Sequence, residues 1–289
     1  MELIIGSEGK GSYGKPLVEY LLHLIYPDRP IIWENSYRCD LIVRSHFLNF
    51  EPEWVDSSYK IPYLLWSGES YPVYFKRNVD CIGISSFYTT HHYYCPFMWF
   101  NLKLKGYNRM YTNIDRPYNV AYCNSNSVTI RENMFNSLVE VFNNQGVHAL
   151  GRNFGKYPET KNKVEGPWHN NDLIKNYSQY NFVISMENAK RGGYITEKIM
   201  NAYYAGAIPI YWGDSVVNEY FNPDSFINVN NFVSIEECSK YIYNLSPEKI
   251  KWMQQQPIFK EPIDPKILIT DDNLYYIYMA KKLASLINK

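Results

Sequence analysis

The chain carries no excess of charge of either sign, 29 Lys and Arg against 29 Asp and Glu. That balance removes the electrostatic footprint expected of a nucleic-acid partner. It also lacks any apolar run long enough to span a bilayer. Its opening, MELIIGSEGKG, has neither the basic start nor the sustained apolar stretch of a secretory signal, so a cytoplasmic protein is the expectation. Cys39, Cys81, Cys95, Cys123 and Cys238 lie far apart, with no C-x-x-C spacing, and suggest neither a zinc site nor a disulfide framework. They read as buried small apolar residues. Internal repeats and low-complexity tracts are absent too.

What the sequence does have is length and aromatic content. Its 289 residues suffice for two domains, and 46% hydrophobic with 20% charged residues describes a globular chain. The 28 Tyr, 14 Phe and 7 Trp suit sugar binding and protein interfaces alike. Short apolar runs at 3–5, 31–33, 40–43, 63–66 and 81–84 alternate with loops, and a helix over 17–25 gives a βαβ beginning. The polar, turn-rich stretch YNRMYTNIDRPYNV places a linker near 111–117 and predicts domains 1–115 and 116–289. In the second, strands are expected at 119–122, 182–185, 207–211 and 226–229, with helices at 194–205, 234–244 and 247–254. Thr129 and Glu132 read as a capping box, which makes Arg131 the second residue of its helix. A last helix, 273–288, has an apolar face able to pack back on the N-terminal domain. The class is α/β with parallel sheets and, between two such domains, a cleft.

One near-motif fails. In GKGSYGKP, residues 9–16, Gly9, Gly14 and Lys15 match a P-loop, but Pro16 stands where a hydroxyl must hold magnesium. A glycine loop between strand and helix is the better reading.

GGYITEKIMNAYYAGAIPIYWG, residues 192–213, carries more. As a helix it sets Ile195, Ile199, Ala202, Tyr203 and Gly206 on a core side, and Tyr194, Glu197, Lys198 and Asn201 on another. An isolated Glu-Lys pair is most often a solvated face. Here the pair follows two glycines at a helix start, where free N–H groups and the macrodipole favour an anion such as phosphate. Lys198 would add a charge, Tyr194 a hydroxyl, and Glu197 an acceptor for sugar hydroxyls.

Residues 180–232 resemble the donor-binding signature of the α-1,3/4-fucosyltransferases, glycosyltransferase family ten. The matching elements are Glu187-Asn188, GYITEK at 193–198, AGAIPI at 205–210, Trp212-Gly213 and NPDSFINV at 222–229. The resemblance implies a GT-B fold of two Rossmann-like domains, with GDP-fucose held by the C-terminal one and a glycan acceptor recognised by the N-terminal one. It implies that Tyr194 and Lys198 contact the diphosphate, that Glu197 contacts the ribose, and that Asn188 lines the donor. NSNSVTIRENMFNSL resembles the family segment whose arginine reaches the diphosphate, here Arg131, and YLLWSGES resembles the strand and turn bearing the proposed catalytic base, here Glu69. Transfer in this family inverts the anomeric carbon, so one carboxylate serves as base. No Asp-x-Asp triplet occurs, so no divalent metal or other cofactor is expected and the cations must come from the protein. Met186 and Arg191-Gly192 depart from the family pattern. They leave open another nucleotide-deoxysugar donor, and the aromatic content is consistent with a catalytically silent carbohydrate-binding protein that kept the fold. Acceptor, linkage and oligomeric state are not legible.

Overall fold

In residues 3–5, 41–43 and 64–66, successive side chains fall on opposite faces of pleated strands, and both faces are apolar, the pattern of a sheet buried on both sides. A computed structural model describes residues 2–8, 14–36, 38–45, 61–68, 80–89, 92–95, 98, 102, 105–161, 171–266 and 274–288. The chain packs as two compact units, Met1–Leu104 with Lys266–Lys289, and Lys105–Pro265.

In the first unit β1 (Leu3–Glu8), β2 (Ile31–Trp33), β3 (Leu41–Ser45), β4 (Tyr63–Ser67), β5 (Cys81–Ser85) and β6 (Tyr93–Tyr94) form a parallel sheet in the order β2-β1-β3-β4-β5-β6. Helix α1 (Lys15–His23) follows Gly14 and carries Pro16 in its first turn, where a missing N–H costs no hydrogen bond. Its stripe Leu17, Val18, Leu21 and Leu22 buries against Leu3, Ile5, Leu41, Val43, Leu64 and Trp66. Cys39, Ile42, Ile61, Tyr63 and Leu65 fill the opposite face. At the carboxyl end of β1 the buried Glu8 carboxylate accepts from Arg44 at 2.8 Å and from the Tyr63 hydroxyl at 2.9 Å. Both bonds offset its loss of water.

The second unit runs β7 (Tyr118–Tyr122), α2 (Thr129–Val141), β8 (Val147–Ala149), α3 (Asn171–Tyr177), β9 (Tyr180–Ile184), α4 (Glu197–Tyr204), β10 (Ile208–Tyr211), α5 (Val217–Tyr220), β11 (Ile227–Asn228), α6 (Ile235–Tyr243) and α7 (Pro247–Gln255). Its strands are parallel in the order β11-β10-β9-β7-β8. From β7 the chain moves outward to β8, then crosses to β9 on the other side of β7. The carboxyl ends of β7 and β9 therefore flank a topological switch point, the usual binding crevice of an open parallel sheet.

Two boundaries differ from the sequence expectation. Residues 105–116 belong to the second unit, strapped to the end of α4. The Tyr204 hydroxyl donates to Gly106 O at 2.7 Å, Met110 N–H to Tyr204 O at 2.8 Å, and Arg116 to the carbonyls of Tyr111, Ser178 and Tyr180. Desolvation, with Arg109 nearby, pulls the Arg116 guanidinium down to about 10. A polar, turn-rich composition conceals such a strap because backbone carbonyls supply most of its acceptors. The other difference is that 266–289 belong to the first unit, where α8 (Leu274–Ile287) packs back as its apolar face suggests and adds Tyr276, Met279, Ala280, Leu283 and Leu286 to the α1 core.

Gly206 ends α4 at φ +69°, and a side chain there would collide with the Tyr111 carbonyl of the strap. Gly206→Ala is expected to destabilise the fold by about 2 kcal/mol or more. Urea unfolding checks it, with the exposed Lys281→Ala as the neutral control.

Candidate functional site

The helix after β9 starts later than the period of its apolar residues suggests. Thr196 is the N-cap, its hydroxyl accepting from Lys198 N–H, so Glu197 and Lys198 are the first two helical residues. Tyr194 lies in the preceding loop instead of in the first turn. It is buried, and its N–H donates to Arg191 O at 2.9 Å.

Behind this helix start sits Glu187, at 0% exposure. Its Oε1 accepts from Thr196 N–H at 2.7 Å and from the Thr196 hydroxyl at 3.0 Å. Its Oε2 lies 2.8 Å from the same hydroxyl and 3.3 Å from Lys198 Nζ. Lys198 Nζ also touches Thr196 Oγ1 at 2.8 Å and pairs with Glu197 at 3.6 Å. Burial raises the Glu187 carboxyl above the usual carboxylate range, although Lys198 and the Thr196 bonds oppose the rise. Burial would lower the Lys198 ammonium, but the charges of Glu197 and Glu187 outweigh it and the net shift is upward.

The Trp212-Gly213 pair that closes β10 also serves this carboxylate. Glu187 N–H donates to Trp212 O at 2.8 Å, and a methyl at Gly213 would press on Glu187 Cγ at 3.0 Å and on the Tyr211 hydroxyl. Only glycine leaves both groups room. Asp214 next accepts from Gly193 N–H at 3.0 Å and from Val216 N–H at 3.2 Å, which ties the glycine entry of α4 to the loop after β10.

Arg131 arrives from α2, the helix that follows the neighbouring strand β7. The expected capping box does not form: Val128 is the N-cap and offers no side-chain acceptor, so Arg131 is the third helical residue rather than the second. Glu132 is engaged elsewhere. Hydrogen bonds from Ser127 and then Asn153, the latter at 2.6 Å, hold its carboxyl below the usual range. Arg131 is 2% exposed, and its Nε donates to Met186 O at 2.8 Å while its other arm donates to Asn188 Oδ1. Desolvation lowers the guanidinium, offset first by Glu187 and then by Tyr122, Tyr194 and Glu197, so these groups share one neighbourhood.

Five of the six residues picked out by sequence, Arg131, Asn188, Tyr194, Glu197 and Lys198, therefore gather at the switch point. Glu69 lies outside the described residues, as do residues 9–13 of the glycine loop. Sequence reasoning passed over Glu187, Thr196 and Gly213 as working parts. A lone carboxylate directly after the apolar run Phe182–Met186 was the available signal for the first. A Thr directly before Glu-Lys was the signal for the second. Among the described residues no group of three His, Cys, Asp or Glu side chains is placed to hold a metal, and no helix is long and apolar enough to cross a membrane.

Cations gathered at a switch point are found in many nucleotide-binding folds, and comparison with known proteins narrows the field. Residues 115–255 match the family model described as glycosyltransferase family 10 (fucosyltransferase) C-term. Alpha-(1,3)-fucosyltransferase FucT of Helicobacter pylori is 39% identical over 101 residues, 35% of this chain and 20% of that protein. The 4-galactosyl-N-acetylglucosaminide 3-alpha-L-fucosyltransferase 9 of Mus musculus is 39% identical over 98 residues, 33% of this chain and 24% of that protein. These matches thus span about a quarter or less of the relatives' length. The crystal structure of an alpha1,3-fucosyltransferase superposes with a TM-score of 0.70 at 19% identity, over 100% of this chain and 90% of that one. The chain accordingly has the GT-B glycosyltransferase fold of two Rossmann-like units, and its residues 115–255 carry the C-terminal domain of glycosyltransferase family 10, the fucosyltransferases.

Proposed function

We propose that the chain is an inverting, metal-independent fucosyltransferase that moves fucose from GDP-fucose to a hydroxyl of a glycan acceptor, with an α-1,3/4-type linkage. The observation that carries this reading is the meeting of two cations, Arg131 from the start of α2 and Lys198 from the start of α4, at the carboxyl ends of β7 and β9. Neighbouring structures at TM-scores of 0.69 and 0.62 are alpha1,3-fucosyltransferases with GDP and with GDP-fucose.

In this reading the second unit binds the donor and the first the acceptor. Glu69 takes the proton of the acceptor hydroxyl as that oxygen attacks C1 of fucose. The bond from C1 to the diphosphate oxygen breaks on the opposite face, through an oxocarbenium-like transition state. The departing diphosphate gains negative charge. Arg131, Lys198 and the positive end of the α4 dipole receive it, each such donor being worth about 3 kcal/mol in a preorganised site. Tyr194, buried in the Arg131 neighbourhood, adds a hydroxyl toward the diphosphate, Glu197 accepts from the ribose, and Asn188 holds the Arg131 fork and lines the donor. Protein cations thus fill the role of a metal ion.

Thermal shift and turnover with GDP-fucose, GDP-mannose and UDP-sugars, all in EDTA, test the assignment. Stabilisation and transfer with GDP-fucose are expected. Preference for another donor would move the reading to a different nucleotide-deoxysugar, and stabilisation without turnover to a silent carbohydrate-binding protein. Lys198→Ala and Arg131→Ala are each expected to weaken donor binding by about tenfold to a hundredfold, the loss of one charge-assisted contact. Lys198→Ala should also lower the melting temperature, because Glu187 then stays buried without its cation. Glu69→Ala is expected to bind donor normally and to abolish transfer. Full transfer by that variant would remove it as the base.

A further inference from the structure

The second unit contains a charge that an anion site does not obviously need. Arg131 and Lys198 supply two positive charges, but Glu187 and Glu197 lie beside them and offset those charges before any ligand arrives, with Lys105 of the strap also near Glu197. Glu197 has a role in the proposed function; Glu187 has none. It is nevertheless the more deeply built of the two. Its carboxylate is fully buried and ringed by Thr196 N–H, Thr196 Oγ1 and Lys198 Nζ, and Gly213 is kept free of a side chain beside its stem.

We propose that Glu187 is a positioning residue that competes with the donor diphosphate for Lys198: it holds the ammonium in the empty site and takes a proton from solvent when the diphosphate claims that ammonium. This inference rests on the donor reading above. The charged and titratable groups facing Glu187 are Arg131 from α2, Glu197 and Lys198 from α4, and the Tyr211 hydroxyl from β10. Lys198 and the Thr196 N–H and hydroxyl favour its ionised form, and of the two cations Lys198 is the one in contact with it. A diphosphate changes that balance in two ways. It adds negative charge to the cluster, and it draws Lys198 toward its own oxygens. Each effect favours a proton on Glu187, whose burial already leans that way.

The linkage has a definite sign. The bound state holds the Glu187 proton more tightly than the free state, so donor binding is favoured toward acid and loses this contribution as pH rises. Glu187→Gln imitates the protonated side chain. It keeps an oxygen for Thr196 N–H and nearly the same volume, but presents no charge to Lys198.

GDP affinity of the full chain and of Glu187→Gln, measured from about pH 6 to about pH 8, is the test. The variant is expected to bind GDP more tightly at the alkaline end, by about tenfold, the effect of one pKa unit, and the two proteins should converge toward acid. Ionisation of GDP itself cancels in the ratio. Weaker binding by Glu187→Gln at about pH 8, or a ratio that does not change with pH, would overturn the proposal. Should the variant not fold, calorimetry of GDP binding to the unmodified chain in buffers of different ionisation enthalpy gives the answer at about pH 8. Proton uptake supports the competition, and its absence overturns it. If the unmodified chain binds no GDP, the donor reading falls and takes this inference with it; binding with parallel pH profiles removes only the role of Glu187.

Discussion

The carboxylate of Glu187 organises the charged cluster at the second unit's switch point. It follows β9, bonds through its backbone to the end of β10, caps the entry of α4 through Thr196, and fixes the Lys198 ammonium. A buried carboxylate is tolerable only when its oxygens are filled, and here each oxygen has two contacts. The same bonds decide where α4 starts. Were Thr196 not held, the helix could begin at Tyr194, as its apolar period allows, and Lys198 would point elsewhere.

Arg131 reaches the cluster by a different route. Its helix lacks a side-chain cap, and the guanidinium itself bridges the two flanks of the switch point by donating to Met186 O and Asn188. Removing it would leave that carbonyl and amide facing each other across a buried gap. The two cations are thus placed by buried polar contacts, not by the hydrophobic core. Buried contacts of this kind orient the two cations before any ligand arrives, which is what preorganised electrostatic stabilisation requires.

Much of this was legible from sequence, because strands with apolar residues on both faces and helices with apolar stripes leave a periodic signal. The runs at 3–5, 31–33, 63–66, 81–84 and 119–122 lie within strands of the structure, and those expected at 40–43, 182–185, 207–211 and 226–229 overrun theirs by one or two residues. What escaped was aperiodic. β6 and β8 are too short to show alternation, and α3 is a seven-residue helix without an extended stripe. Val128 took the cap assigned to Thr129 because Glu132 is occupied by Ser127 and Asn153, a residue beyond the next strand. The strap over 105–116 reads as linker because its partners are carbonyls, which any sequence supplies. Glu187 could be seen as part of a motif, but its role depends on Thr196, Lys198 and Trp212, which only the fold brings to it.

The central claim is that protein cations at the carboxyl ends of β7 and β9 hold the donor diphosphate. A crystal structure of the chain with GDP tests it most directly. The account predicts diphosphate oxygens within hydrogen-bond distance of both Arg131 and Lys198, with no metal ion between them. A diphosphate seated away from these two side chains, or bound through a divalent ion, would contradict it.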